Sequence, residues 1–296
     1  MSFSTEVKNE LLSAELESCC RHALSYAIIL FGRTFSAKEL AILTENNDII
    51  NAYCEAIHFL SGETVQPLNT DGKKRKVSVT DKKILSTVFE KLGFSESTIK
   101  RRVNFANLQE PCCLNAFLRG VFLACGTVTD PEKEYHLEFS VSSKGLCDDL
   151  IRLFEDCGPT PKVTQRSGTY TVYFKNSTDI EDVLAIIGAT ENSLVFMQTK
   201  ILKDIRNTVN RKVNFESANI KRTIIAAAKQ CDAIEKIQKN MGLDALPPEL
   251  REIARLRLEN REVSNSDIGK MLSESITVSG VNHRFQKIIK IAQELK

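Results

Sequence analysis

Long apolar runs are missing from this 296-residue chain. No stretch of about 18 consecutive apolar residues occurs, so we predict no membrane span and no membrane partner. The first residues are polar and acidic, without the basic start and apolar core of a signal peptide. We therefore expect a cytoplasmic protein.

The nine cysteines also lack a familiar pattern. Their odd number and irregular spacing argue against a disulfide framework. No Cys-x-x-Cys occurs, and the adjacent pairs Cys19-Cys20 and Cys112-Cys113 would point about 100° apart on a helix. We predict no metal site and no cofactor, and interpret the cysteines as small buried hydrophobic residues. A redox role would require a thiol of low pKa.

Charge is unevenly distributed along the chain, although the formal net charge is only +2. Residues 193–296 hold 19 Lys and Arg against 12 Asp and Glu, whereas residues 1–192 hold 21 against 26. Binding to the phosphate backbone depends on basic side chains. The asymmetry therefore indicates that the C-terminal part contacts nucleic acid, and it argues against DNA binding along the whole acidic N-terminal part.

A nine-residue segment at 118–126 is the most informative pattern, and a weaker copy lies at 24–32. Each copy follows a Cys-Cys pair and precedes the same predicted order of strand, helix, two strands and helix. A repeat of this length indicates two related structural units. Gly120 and Ala124 are four residues apart and would let a second helix approach closely. We predict that the two repeated helices cross at the centre of a pseudo-two-fold domain.

The segment 118–126 resembles the motif of the LAGLIDADG homing endonucleases, and the αβαββα order resembles their half-domain. This resemblance implies an acid before the last glycine of each motif, where it holds a catalytic divalent cation. Phe31 and Cys125 occupy these positions, and neither offers the hard oxygen ligand that Mg²⁺ demands. We predict that nuclease chemistry is lost, that no catalytic residues are present and that the protein is not an enzyme.

The C-terminal residues have the pattern of a helix-turn-helix. Ser264 and Asp267 are typical of a capped helix start, and a short turn precedes a helix from about residue 277 with an apolar stripe that includes Val281 and Phe285. In this motif the second helix enters the major groove, where Asn, Gln and Arg read base edges. The predicted DNA-binding residues are Ser279, Gly280, Asn282, His283, Arg284, Gln286, Lys287 and Lys290. The alternative is a solvated polar face on an ordinary bundle helix.

The segment 206–222 is rich in Asn, Lys and Arg. It is interpreted either as an ordered connector between two helices, at 194–209 and 219–241, or as an arm that contacts phosphates. The predicted phosphate contacts are Arg206, Asn210, Arg211, Lys212, Lys221 and Arg222.

Several stretches together resemble the WhiA family of bacterial regulators. They are the two Cys-Cys helices, 118–120 continuing to 135–139, 210–211 with 218–219, 246–247 with 256–258, and 279–284. The expected fold is α+β: a pseudo-two-fold duplicated αβαββα LAGLIDADG-like domain followed by an all-α helix-turn-helix domain. The predicted boundaries are 1–192 for the first domain (half-repeats about 1–95 and 110–190), 193–245 for a helical connector and 246–296 for the helix-turn-helix.

The resemblance also implies a function. It implies a nucleoid-associated protein that binds double-stranded DNA in bacterial cell division and chromosome segregation, as a transcription regulator that acts on sporulation genes in some lineages. The N-terminal domain would be a scaffold, a weak second DNA contact or a platform for a protein partner. Two alternatives stay open: a protein-binding division factor without a role in transcription, and an endonuclease with carboxylates elsewhere in its central domain.

Overall fold

The protein is described here by a computed structural model that covers residues 2–69, 73–94 and 101–295. Its contacts form two compact units, Met1–Lys203 and Asp204–Lys296. The first half of the N-terminal unit contains α1 (Phe3–Ser13), α2 (Ser18–Leu30), β1 (Thr34–Ser36), β2 (Glu39–Thr44), α3 (Asn47–Ser61), β3 (Leu68–Asn69), β4 (Arg75–Val79) and α4 (Lys82–Lys91). The second half contains α5 (Pro111–Cys125), β5 (Gly126–Val128), β6 (Leu137–Val141), α6 (Lys144–Cys157), β7 (Lys162–Arg166), β8 (Thr169–Phe174) and α7 (Ser177–Ile186).

The rest of the chain is helical. The long helix α8 (Thr190–Asn240) crosses the boundary between the units. It is followed by α9 (Pro248–Glu259), α10 (Asn265–Met271) and α11 (Val278–Glu294). None of the helices within the described ranges is both long and apolar enough to span a membrane.

The two halves of the N-terminal unit have the same sheet topology. Each half forms a four-stranded antiparallel sheet, ordered β1-β2-β4-β3 in the first and β5-β6-β8-β7 in the second. Strand β6 buries Leu137, Phe139 and Val141, which alternate with less buried residues, as a strand with one face on the core requires. The matching topologies confirm the predicted α+β duplication. The short strands β1 and β5 were not predicted, because three residues carry too little periodicity.

The core of the N-terminal unit is built around the packed helices α2 and α5. A Cβ atom at Gly120 would lie 2.6 Å from the Leu24 carbonyl oxygen and 2.7 Å from the Ala27 Cβ. Real Cβ atoms do not approach this closely, so only glycine lets the two backbones come together here. This contact confirms the predicted close packing of the two repeated helices.

The unbroken course of α8 shows that the connector interpretation of 206–222 is wrong, because a connector would separate two helices. Neither Gly nor Pro occurs between residues 190 and 241, and asparagine costs a helix less than about 1 kcal/mol relative to alanine. Ile205, Val209 and Val213 also recur at helical spacing. The three-part division of the chain at 192 and 245 stays a prediction.

The cysteines fall into different environments. Cys20, Cys113, Cys147 and Cys231 are buried, as expected of small hydrophobic residues. Cys112 is exposed instead, and the other four cysteines are partly exposed. Contact with the Cys112 thiol lowers the pKa of the Cys19 thiol.

The close approach at Gly120 can be tested by adding one methyl group. We expect Gly120→Ala to lower the free energy of unfolding by about 1–3 kcal/mol, because overpacking outweighs the better helix propensity of alanine. All five tyrosines lie before residue 204 and there is no tryptophan, so tyrosine fluorescence during urea unfolding reports on the N-terminal unit. Asn115→Ala, an exposed change on the same helix, is the control. A Gly120→Ala protein as stable as wild type would contradict the packing.

Candidate nucleic-acid interface

The C-terminal unit has a core of its own, built from α9, α10, α11 and the end of α8. The core includes Ile253 of α9, Ile268 of α10 and Phe285 of α11. Ile234 and Ile237 of α8 pack against them. All five side chains are at most 1% exposed. The outward faces of α10 and α11 are therefore presented on a packed support.

Local capping fixes where the last two helices begin. The Ser264 Oγ accepts a hydrogen bond from the Asp267 backbone N–H at 3.2 Å, which confirms Ser264 as the predicted N-cap of α10. Thr277 caps α11 by accepting from the Gly280 N–H at 3.3 Å. A Cβ at Gly269 would lie 2.9 Å from the Ile276 carbonyl oxygen, so glycine lets the turn pass close to α10.

Arg257 on α9 joins the parts of the helix-turn-helix. Its guanidinium donates to the carbonyl oxygens of Asn260 (3.1 Å) and Val263 (2.6 Å) and to Asn265 Oδ1 (2.6 Å). It also lies over the Phe285 ring of α11, 5.2 Å from the centroid. The residue is fully buried, and burial lowers the pKa of its guanidinium. One side chain thus holds the loop before α10 against α11.

Sequence reasoning missed Arg257, although a signal was available. Leu250, Ile253 and Arg257 recur at spacings of three and four, which places the arginine on the apolar stripe of α9. A charged residue on such a stripe must find buried partners. For Arg257, the three oxygen acceptors lie in the segment that follows α9, at residues 260–265.

The structure exposes most of the residues predicted to contact DNA on α11. Arg284 is an exception, because its side chain is only 19% exposed and lies 3.7 Å from Glu249 on α9. Asn282 is exposed, but its Oδ1 accepts a hydrogen bond from Asn265 Nδ2 at 2.7 Å. Gly280 is partly exposed. The other exposed residues of the set are Ser279, His283, Gln286, Lys287 and Lys290.

A shallow groove of about 490 Å³ runs between α11 and α8 in the C-terminal unit. Lys287 and Lys290 line it from α11, together with His283 and Gln286, and Lys229 lines it from α8. Three ammonium groups from two helices therefore face one concave surface. Lys229 was not predicted, because its place in this groove depends on how α8 packs against α11.

The predicted phosphate contacts on α8 are all exposed but do not share one face. At 100° per residue, Arg206, Asn210 and Lys221 fall on one side of the helix, with Arg211 and Arg222 beside them. Lys212 projects from a different side. A phosphate backbone along one side of α8 could therefore meet Arg206, Asn210 and Lys221 together, whereas Arg211 and Arg222 lie about 100° further round the helix.

The C-terminal ends of α2 and α5 carry the positions where a LAGLIDADG nuclease has its acids. Phe31 is buried, and the Cys125 Sγ donates to the Val121 carbonyl oxygen at 3.4 Å. Burial raises the pKa of the Cys125 thiol to about 12, so the thiol stays neutral.

Arg101 lies beside the C-terminal ends of α2 and α5. Arg101 Nη2 donates to the carbonyl oxygens of Gly32 (2.8 Å) and Leu30 (3.3 Å), and its Nη1 donates to Ser142 Oγ (2.7 Å). In the part of the chain that the structure describes, no group of three or more carboxylates lies close enough together to hold a metal ion. The residues at the helix ends therefore do not fit a catalytic divalent cation. Sequence reasoning missed Arg101, because its partners come from distant segments.

The N-terminal and C-terminal units together define a class of protein, in which a duplicated LAGLIDADG-like domain is joined to a helix-turn-helix domain. The family model for the WhiA LAGLIDADG-like domain matches residues 114–206, and the model for the WhiA C-terminal HTH domain matches residues 209–292. The chain belongs to the WhiA family.

Individual relatives agree with this assignment. The chain is 36% identical to "Probable cell division protein WhiA" of Caldicellulosiruptor saccharolyticus, over 100% of this chain and 96% of the relative. It is 34% identical to the protein of the same name in Ruminiclostridium cellulolyticum, over 100% and 98%. The crystal structure of full-length DUF199/WhiA from Thermatoga maritima is similar with a TM-score of 0.59 and 26% identity, covering 100% of this chain and 99% of that one.

The role of Arg257 can be tested by removing its donors. We expect Arg257→Met to destabilise the C-terminal unit by about 3 kcal/mol, because the unpartnered carbonyl groups lose hydrogen bonds that water cannot fully replace. Faster amide hydrogen exchange in α10 and α11 of the full-length protein measures the effect. Arg255→Met on the same helix removes only an exposed ion pair with Asp244, and exchange should barely change. Equal exchange in both variants would show that Arg257 has no organising role.

Proposed function

We propose that this protein binds double-stranded DNA through α11 and regulates transcription in bacterial cell division. The observation that carries the proposal is the exposed polar face of α11, with Lys287 and Lys290 facing Lys229 across one groove. The names of the relatives support the cell-division part. Chromosome segregation, sporulation control in some lineages and association with the nucleoid belong to the same proposal.

We assign different tasks to the residues of this face. Ser279, Asn282 and Gln286 lie in the first turns of α11, where a recognition helix reaches base edges. Lys287 and Lys290 lie further along the helix and would neutralise phosphates. The exposed positions on α8 would extend the phosphate contacts along that helix.

We also assign Arg284 a contact with DNA, although it forms an ion pair with Glu249. Its ion pair with Glu249 is long, at 3.7 Å, and the Glu249 side chain is 73% exposed. Such a pair contributes at most about 1 kcal/mol. The Arg284 guanidinium can therefore exchange Glu249 for a DNA phosphate at little cost.

We also propose that the N-terminal unit has no nuclease activity. Support comes from the neutral thiol of Cys125, the buried ring of Phe31 and the guanidinium of Arg101 at the helix ends. A cation there would meet a fixed positive charge and no carboxylate pair. The unit would instead be a scaffold, a weak second DNA contact or a protein-binding platform.

A protein-binding division factor is the second candidate function. Exposed apolar side chains on α8 favour it, because surface apolar groups at helical spacing are typical of protein contacts. Ile205, Val209, Val213, Ile220 and Ile224 are each more than half exposed.

Salt dependence tests the DNA-binding face. We expect Lys287→Ala with Lys290→Ala to weaken DNA binding and to reduce the slope of log affinity against log salt by about 2, because each lost phosphate contact removes about one unit. The control is Lys239→Ala, an exposed lysine of α8 outside the groove, which should leave the slope unchanged. Unchanged binding by the double variant would overturn the assignment of α11.

The absence of nuclease activity can be checked directly. We expect supercoiled plasmid to stay intact after incubation with the purified protein and Mg²⁺ or Mn²⁺, because no hard oxygen ligands converge at the helix ends. An active homing endonuclease with its own target plasmid validates the conditions. Metal-dependent nicking that co-purifies with the protein would revive the endonuclease alternative.

A further inference from the structure

The starts of the two central helices bring cysteine thiols together. The Cys19 Sγ lies 3.8 Å from the Cys112 Sγ and 4.0 Å from the Cys20 Sγ. All three sulfur atoms lie within 4.8 Å of one another. Cys19 and Cys20 belong to the first turn of α2 and Cys112 to the first turn of α5, so the cluster joins the two halves of the duplication.

These separations match those of a thiolate-bound metal ion. A Zn–S bond of about 2.3 Å in tetrahedral geometry places neighbouring sulfur atoms about 3.8 Å apart. The two closest pairs here are already within a few tenths of an ångström of that value. A disulfide would require the Cys19 and Cys112 sulfur atoms to close to about 2.05 Å, and it would need an oxidant.

The surroundings of the cluster also suit an ion. Cys112 is exposed and Cys19 is partly exposed, which gives an entry route, while Cys20 is buried. Contact with Cys112 lowers the pKa of the Cys19 thiol, whereas burial raises the pKa of Cys20 to about 12, so a bound ion must displace the Cys20 proton. A cavity of about 590 Å³ beside Cys19 is also lined by Cys113 and leaves room for a fourth ligand.

We propose that Cys19, Cys20 and Cys112 form a binding site for a thiophilic d¹⁰ cation, Zn²⁺, with the fourth position open to Cys113 or water. Thiolate sulfur is the ligand type that such ions select. The bound ion ties the first turn of α2 to the first turn of α5 and thereby stabilises the N-terminal unit. The site revises the sequence-based expectation that adjacent cysteines cannot both face one ligand, because α5 brings the third sulfur to the side that Cys19 and Cys20 share.

Metal titration of the full-length protein, reduced and freed of metal by a chelator, tests the proposal. We expect one equivalent of Co²⁺ to bind with a thiolate-to-metal charge-transfer band, and Zn²⁺ to displace it. We also expect Zn²⁺ to raise the unfolding temperature followed by tyrosine fluorescence, because an ion that binds only the folded state stabilises it. A protein that shows no charge-transfer band and no thermal shift, or that only forms a Cys19–Cys112 disulfide, overturns the proposal.

Variants locate the site. We expect Cys112→Ser, a change at an exposed position, to weaken Zn²⁺ binding at least about tenfold and to reduce the charge-transfer band, with an unchanged melting curve in the absence of metal. Cys19→Ser should abolish the band. The matched control is Cys157→Ser, a partly exposed cysteine outside the cluster, which should bind as wild type does. Equal binding by Cys112→Ser and Cys157→Ser would contradict the assignment.

Discussion

The contact of α2 with α5 at Gly120 is the constraint on which the N-terminal unit depends. Because a Cβ atom there would collide with the Leu24 carbonyl and with Ala27, the two helices can pack this closely only through glycine. Their packing brings each pair of helix ends together. The first turns then present the cysteine cluster, and the last turns present Phe31 and Cys125 beside Arg101. One packing contact thus sets the geometry at both ends of the helix pair.

The chemistry at the C-terminal ends of α2 and α5 does not suit a catalytic divalent cation. These helix ends have a neutral thiol, an aromatic ring and an arginine bound to backbone oxygens. The C-terminal unit uses an arginine in a similar structural way. Arg257 is buried and satisfies the loop before α10 while it packs on Phe285. The exposed residues Lys287 and Lys290 of α11 do not make these structural contacts, which supports their proposed role in binding DNA.

Local patterns predicted most of the fold, and tertiary contacts account for what they missed. The alternation in β6, the cap at Ser264 and the apolar stripe of α11 depend on near neighbours, so the duplicated domain and the helix-turn-helix could be predicted. Continuity of α8 was missed because polar asparagines suggested a turn. Lys229 and the thiol cluster depend on helices that meet in space, and no spacing within a single segment reveals them.

The central claim is that α11 is the DNA-binding element of a protein without nuclease chemistry. Amide hydrogen exchange of the full-length protein, with and without a bound genomic DNA fragment, tests it most directly. The account predicts that DNA slows exchange over the first turns of α11 and around Lys229 in α8, because binding there excludes water and stabilises those helices. Slower exchange confined to the sheets of the N-terminal unit, with α11 unchanged, would contradict it.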